Sequence, residues 1–490
     1  MTVATASRMD FVRAGRAQPV HLDLAADHAF VHRAFAAVCF AVMLAGAVML
    51  PAYTVAGVQM RAILPVGLLI LFGFLYTNDA WAALQRQGLL LALLGGLAIE
   101  GAFVSFVYGT PANEILFAVV SIHVQAAVVL LAAAVVARIS GLRAAVIATI
   151  AVIAVSAVVA VLQMLDVDAA WSLRTTFAHL QHQALEELEF FGNRRPMGLS
   201  FSPIQLATQL TLAFAVFAAA REKERSVTTG ATKTSDPAVI LALLVFFAAC
   251  LATATRSPIL GGFIFLAIYA ALRRAWWIAM TIIFGGLLVY LGWPLLMETI
   301  QSTSPRLTRT DDNSAAARLV FAYYGLRLFL DNPLGYGLVF QPYDLWTKYW
   351  TDLYMMRAAH GAQENDLHNY VLSMLNFYGI GILLFVPVLM RLLRNAGAYL
   401  LFFIPYIVHI AFHNSGPLDN DTIIWFVVGA LSANVVARRK PARRKRFEPI
   451  DPPQYGAGPA LAGAGASAGR LHLVGRRDAS FRSRRGFRSP

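Results

Sequence analysis

The chain is short of charge and of cysteine. Only 14% of its 490 residues are Asp, Glu, Lys or Arg, against about 25% in a soluble domain. Hydrophobic residues make up 58%, and the mean hydropathy is +0.61. That balance excludes a soluble globular protein and implies a polytopic membrane protein. The two cysteines, Cys39 and Cys250, both lie in apolar runs, which excludes a disulfide framework or a thiolate metal site and leaves the redox compartment unread. There is no Walker loop, GxSxG, HExxH or Asp-rich cluster, so neither a metal nor a cofactor is expected. The first 33 residues lack the basic start, short apolar core and cleavage site of a signal peptide. The first span is therefore expected to insert uncleaved.

The net charge of +13 would suggest a nucleic-acid partner if it were spread over a folded surface. It is not: from Arg438 onward fourteen Lys/Arg face three Asp/Glu, a net +11 that leaves +2 for everything before. The stretches "RRKPARRKRFEP", "GAGPALAGAGASAG" and "GRRDASFRSRRGFRSP" are too poor in apolar residues to pack a core. A basic tail next to a span sets topology and touches anionic lipid; membrane lipids, not nucleic acid, are the expected partner.

About 20 apolar residues cross a bilayer as a helix, and on that measure about twelve spans are expected. The fold class is all-α, with a large periplasmic loop containing amphipathic helices. The expected order is a cytoplasmic segment at 1–33, five spans at 34–165, a periplasmic loop at 166–200, spans six to nine at 201–297, a large periplasmic loop at 298–367, three spans at 368–437 and a basic, disordered cytoplasmic tail at 438–490. With the tail inside, the basic connections "ARISGLRA", "REKERSVTTGATKTSD", "ALRRAW" and "MRLLRNAG" all fall on the cytoplasmic face, in accord with the positive-inside rule. In the second long loop, Arg318, Phe321, Tyr324, Gly325 and Leu328 are at helical spacing, followed by the stop and turn Asp331-Asn332-Pro333 through Gly335 and Gly337. The segment "YDLWTKYWTDLYMM" then reads as an aromatic stripe suited to a membrane interface.

The residues able to do chemistry are cations and one histidine on the outward side. Arg194 and Arg195 precede a span whose first turn holds Ser202 and Pro203; guanidinium and helix N–H groups together suit an anion, although arginines so placed also snorkel to headgroups. Arg318 and Arg327, nine residues apart, are roughly 180° apart at about 100° per residue, so only one faces a given target and a solvated surface role is the alternative. His368-Asn369 opens a span, where an imidazole near its ordinary pKa can move a proton at neutral pH; His360, Glu364 and Asp366 nearby match no metal template. Glu100, His123, Arg256 and His409 are ionisable groups inside or at the ends of spans, where such groups face the bundle interior or water. The glycines of "GGLAIEG" and "GGFIFLAIYAAL" read as close helix contacts.

Four pieces in order resemble the O-antigen ligase and polysaccharide polymerase superfamily of bacterial inner-membrane glycosyltransferases. They are Arg195-Pro-Met-Gly198 through Pro203, Thr255-Arg256-Ser257, Arg318 followed by Asn332-Pro333-Leu334-Gly335-Tyr336-Gly337, and His368-Asn369 with Gly379-Ile-Gly381. The resemblance implies a metal-independent transferase acting on an undecaprenyl-diphosphate-linked glycan at the periplasmic face. Another glycan or the lipid A core would be the acceptor, and a chain-length regulator is a further implied partner. It assigns the diphosphate to Arg195 and Arg318 with Arg256 as a weaker candidate, makes His368 the base, and leaves Arg194, Asn369 and Gly198 in support. Pro203 is followed by Ile204 where ligases often carry Asn, which tilts the reading towards a polymerase of O-antigen or exopolysaccharide repeats. Two other classes remain open: a lipid-linked sugar flippase working through Glu100, His123 and His409, and a scaffold whose outer loop binds a partner.

Overall fold

The computed structural model describes residues 28–55, 57–181, 195–229, 235–273, 277, 313–356, 358–360, 367–413, 416–418 and 421–433. Arg194, Glu364, Asp366, most of the expected ninth span at 275–297 and the basic tail lie outside these residues. So does nearly all of the expected cytoplasmic N-terminal segment.

Apolar runs of bilayer length become helices, because only an internally hydrogen-bonded backbone is tolerated in hydrocarbon. In chain order they are α1 (Phe30–Met49), α2 (Met60–Leu75), α3 (Thr77–Val107), α4 (Ala112–Val119), α5 (Gln125–Ser140), α6 (Leu142–Met164), α7 (Asp168–Leu180), α8 (Pro203–Thr229), α9 (Pro237–Ala252) and α10 (Arg256–Arg273). A π turn, Val120–Val124, joins α4 to α5. There follow α11 (Asn313–Asp331), a 3-10 turn at Pro342–Tyr349, α12 (Trp350–Leu353), α13 (Tyr370–Tyr378), α14 (Val386–Ala396), α15 (Ile404–Ile410) and α16 (Ile423–Ser432). The sole sheet among the described residues is a two-stranded hairpin, Thr54–Val55 against Val58–Gln59.

Seven helices are long and apolar enough to cross a membrane, and four shorter apolar helices accompany them. Each coincides with an expected span, so the described residues form an all-α membrane protein. Phe74, Ile99, Phe103, Phe117, Leu241 and Leu384 present large apolar surfaces outward, which suits lipid and not water. The core runs through α5 and α8, both buried along most of their length. Gly429 of α16 brings its backbone against Ala133 and Ala134 of α5, and Gly261 of α10 packs on the backbone of Pro405, the close approaches expected of small residues in a bundle.

Two helices run beyond their apolar stretches for the same reason. Helix α3 begins at Thr77, a full ten residues before its apolar run opens near Gln87, because Asp79 in its first turn is held by Arg138 Nε at 2.8 Å and by His28 at 2.9 Å. Helix α8 continues to Thr229 because Glu222 pairs with Arg273 at 2.7 Å and Lys223 donates to the carbonyls of Leu431 and Ala433. Polar partners supplied by neighbouring helices carry both beyond their apolar stretches.

The aromatic segment is a correction. Only part of it faces outward: Tyr343, Tyr354 and Met355 are exposed, whereas Trp346 and Tyr349 are buried at 1% and 4% exposure and pack with Phe321, Tyr324, Leu328, Tyr336 and Phe340 into a second core. The α11 face carrying Phe321, Tyr324 and Leu328 gives these rings a partner, and Tyr324 donates its hydroxyl to Pro342 O at 2.5 Å.

Candidate functional site

The four quoted pieces come together through shared contacts, and short-range chemistry sets each in place. The loop carrying Arg195 is latched to α6. Gly198 has φ +60°, a conformation glycine adopts without strain, and a Cβ there would overlap the Ser156 carbonyl. Gln163 closes the latch: its Oε1 accepts from Met197 N and Gly198 N, both at 2.9 Å, and its Nε2 donates to Gly198 O at 3.2 Å and Ala170 O at 3.3 Å. Ser202 Oγ caps α8 by accepting from Gln205 N at 3.1 Å. That helix end therefore already has an acceptor, and Arg195 reaches elsewhere.

It reaches the turn between α9 and α10. Arg195 Nη2 donates to Thr253 O, Ala254 O and Thr255 Oγ1 at 3.2, 3.4 and 3.2 Å. Ala254 has φ +51°, a left-handed conformation that is strained for a residue with a Cβ and that helps bring these oxygens to one guanidinium. The Thr-Arg-Ser element thus sorts itself by side. Arg256 is exposed, whereas Ser257 is buried and lies 2.8 Å from His409 Nδ1 and 3.1 Å from His413 Nε2. Of this element, the buried Ser257 joins the centre of the site and Arg256 stays at its edge.

Arg318 and His368 come together through α11 and α13. Arg318 and Phe321 are one turn apart on α11, and the Phe321 ring stacks on the His368 imidazole with centroids 4.8 Å apart and planes at 20°. Asn369 does not point into chemistry: its side chain accepts from Leu372 N at 3.1 Å and caps α13. His368 is at the mouth of a helix because Asn369 starts that helix. Arg327, on the other side of α11, lies 3.5 Å from Asp352, as the spacing requires. His360 is T-stacked on Trp350 with centroids 4.7 Å apart. Among the described residues no group of His, Cys, Asp and Glu could hold a metal.

The Asn332 to Gly337 turn is the joint between these helices. Helix α13 breaks at Gly379, φ +61°, and the carbonyls of Asn376 and Phe377 accept from Tyr336 N at 2.7 Å and Gly337 N at 3.1 Å, while Ile380 N donates to Pro333 O at 2.7 Å. Gly337 lies over Ser105 of α3, whose Oγ accepts from Leu338 N at 2.8 Å. Gly381 faces the Glu100 carboxylate, and His123 bonds Tyr378 Oη at 2.8 Å. The intramembrane Glu100 and His123 therefore abut this joint.

Two residues that the sequence reading passed over complete the end. Arg174 of α7 is 3% exposed and donates to Phe201 O at 3.3 Å; burial pushes its guanidinium down to about 10. His413, just past α15, is 2% exposed. Burial first, then His409, Arg318, His368 and Arg195, push its imidazole well below the ordinary value. Those couplings bring Arg195, Arg318 and His368 into electrostatic reach of one buried imidazole, although they come from three separate parts of the chain. A signal for His413 was present: His409 and His413 are at i, i+4 and share a helical face.

No curated protein and no solved structure matches the chain. Residues 241–386 match the family model described as O-antigen ligase, a stretch that contains Arg256, Arg318 and His368 but neither Arg195 nor His413. Over that stretch the chain is similar to the O-antigen ligase family, in accord with the order of the quoted motifs.

Proposed function

We propose that the protein is a glycosyltransferase of the bacterial inner membrane that moves a glycan from undecaprenyl diphosphate to a sugar hydroxyl at the periplasmic face, both termini being cytoplasmic. The observation that carries this reading is that Arg195 bonds the turn that bears Ser257, Ser257 bonds the buried His413, and Phe321, one turn from Arg318, stacks on His368. Arg195 and Arg318 hold the diphosphate, and fixed guanidinium groups stabilise the charge that builds on it as the anomeric C–O bond breaks. His368 takes the proton of the acceptor hydroxyl while that oxygen bonds to the anomeric carbon from the face opposite the diphosphate. The electron pair of the broken bond leaves with the diphosphate and the anomeric configuration inverts. Two guanidinium groups supply the positive charge that a divalent ion provides in other phosphate-releasing enzymes, so the reading is of a metal-independent reaction.

Ile204 after Pro203 favours a polymerase of O-antigen or exopolysaccharide repeats over a ligase joining glycan to the lipid A core. The test is a deletion strain complemented with wild type or His368→Ala, with polysaccharide resolved on gels and probed for lipid A core and for lipid-linked polymer. Core bearing single repeats in the variant identifies a polymerase. Undecorated core with accumulated long lipid-linked chains identifies a ligase. Wild-type polysaccharide from His368→Ala, present in the membrane at normal level, removes the base from the mechanism.

A further inference from the structure

Beneath the cations runs a chain of hydrogen bonds whose direction can be assigned from its far end. Thr208 Oγ1 donates to Ile204 O at 3.0 Å, the bond a helical threonine makes to the carbonyl one turn back. Its proton committed, Thr208 Oγ1 accepts from His409 Nε2 at 3.0 Å. The Ile204 carbonyl also interacts with His409, which again calls for a proton on Nε2. His409 Nδ1 is then a lone pair, and Ser257 Oγ donates to it at 2.8 Å. With its only proton used, Ser257 Oγ accepts from His413 Nε2 at 3.1 Å. His413 is left as the Nε2–H tautomer with a lone pair on Nδ1.

Every donor in this chain points away from His413 Nδ1, and the chain ends at a backbone carbonyl that takes up no proton. It is an orienting device and not a proton exit. Bonds arranged head to tail polarise one another, so the Nδ1 lone pair is held in place and strengthened as an acceptor. Among the described residues that atom has no hydrogen-bond partner, and it is buried. A buried polar atom left unsatisfied is costly, and one oriented by a four-residue chain and within electrostatic reach of Arg195, Arg318 and His368 has the character of a ligand contact.

We propose that His413 is a substrate-contacting residue whose Nδ1 accepts a hydrogen bond from a hydroxyl of the sugar attached to the diphosphate. The proposal rests on the function proposed above, because the groups beside His413 are those assigned to the diphosphate. The two imidazoles then have different duties. His413, held neutral by its surroundings, accepts a hydrogen bond without taking the proton, and His368 remains the base. His409 and Ser257 are positioning residues.

The test exploits two amides that each copy one half of the ring. His413→Asn keeps an acceptor near the Nδ1 position and loses the Ser257 bond; His413→Gln keeps the Ser257 bond and loses the acceptor. Each is reconstituted in proteoliposomes after its insertion is checked. Turnover is measured with lipid-linked glycan extracted from a strain lacking the protein, and farnesyl diphosphate, which has no sugar, serves as competing inhibitor. The expected result is a fall in kcat/KM of about 10- to 100-fold for His413→Gln, a smaller fall for His413→Asn, and an unchanged inhibition constant for farnesyl diphosphate in both. Wild-type kcat/KM in His413→Gln overturns the sugar contact, as do equal losses in the two variants or an inhibition constant that weakens in parallel. A wild-type protein that transfers nothing overturns the function itself and the contact with it, which separates the two failures.

Discussion

Gln163 lies well away in sequence from every quoted motif, yet the position of Arg195 depends on it. Replacing it with Leu keeps the bulk and the helix propensity of α6 and removes all four hydrogen bonds to the Arg195 loop and to Ala170. The side chain is 2% exposed, so water does not readily take its place. The two amides of Met197 and Gly198 lose their acceptor, at about 1–3 kcal/mol each, for a total of about 2–6 kcal/mol. The loop has a cheaper exit than bearing that cost: it unlatches and brings its amides to water, which carries Arg195 off the Thr253 to Thr255 turn. A displacement of about 1 Å at a positioning group can lower turnover about 100-fold. The expected outcome is therefore a Gln163→Leu protein that inserts normally and loses about 100-fold in transfer rate, with Gln163→Glu intermediate because a carboxylate still accepts from both amides. The assay is glycan transfer in proteoliposomes at matched protein levels. Wild-type turnover in Gln163→Leu would refute the argument, since either the latch or the place of Arg195 in the site would then be wrong.

His368→Ala and Arg318→Ala are each expected to abolish polysaccharide while leaving membrane levels unchanged; full product from either removes that residue from the mechanism. Arg327→Ala should lower turnover less than twofold, because its pair with Asp352 is 42% exposed on both sides and such pairs contribute about 0.2–1 kcal/mol; a large loss would mean that α11 presents its other face. Gly379→Ala should abolish product, since the residue is left-handed and a Cβ would overlap the Leu334 carbonyl; near-normal transfer would show that the joint yields. The Tyr349 hydroxyl, at 2.6 Å, holds the Asp331 carboxyl below its ordinary 3.8, with Lys348 assisting. A depressed carboxyl adds stability above its unfolded pKa and loses it as pH falls through the folded value. Melting in detergent should therefore drop more steeply below pH ~4 for wild type than for Tyr349→Phe, and identical slopes would refute the coupling.

The bundle was legible in the sequence because hydropathy is a property of each segment taken alone. The same holds for the face of α11, where spacing placed Arg318 with Phe321 and set Arg327 opposite. Two of the three glycines of "GGLAIEG" make the contacts read from the sequence: Gly96 meets Phe385 and Gly101 meets Leu338 and Tyr378, whereas Gly95 faces open space. What could not be read depends on partners far along the chain. Gln163 is a lone polar residue at the end of an apolar run, Ser257 meets His413 across 156 positions, and the inward turn of Trp346 requires the α11 face it packs on. A one-residue difference separates Arg256 at the edge from Ser257 at the centre, and helix period alone does not say which of two neighbours points inward at a turn.

The glycine-rich turn changes how the site is understood. Read as a motif, Asn332 to Gly337 is a stop and a turn after α11; folded, it is spent on backbone pairing with the break in α13. A break in a membrane helix is tolerated where neighbouring groups satisfy the freed backbone, and here the turn does so with three hydrogen bonds. The Asn376 side chain adds a further bond to Gly325 O at 2.9 Å. The consequence is mechanical: α11 and α13 are strapped into one unit that fixes Arg318 relative to His368. Arg195 and His413 are held by other elements, one latched to α6 and the other chained through Ser257 and His409 to α8. On the proposed function, the diphosphate is therefore held by two arginines whose positions are set independently, one by the α6 latch and one by the strapped pair α11 and α13.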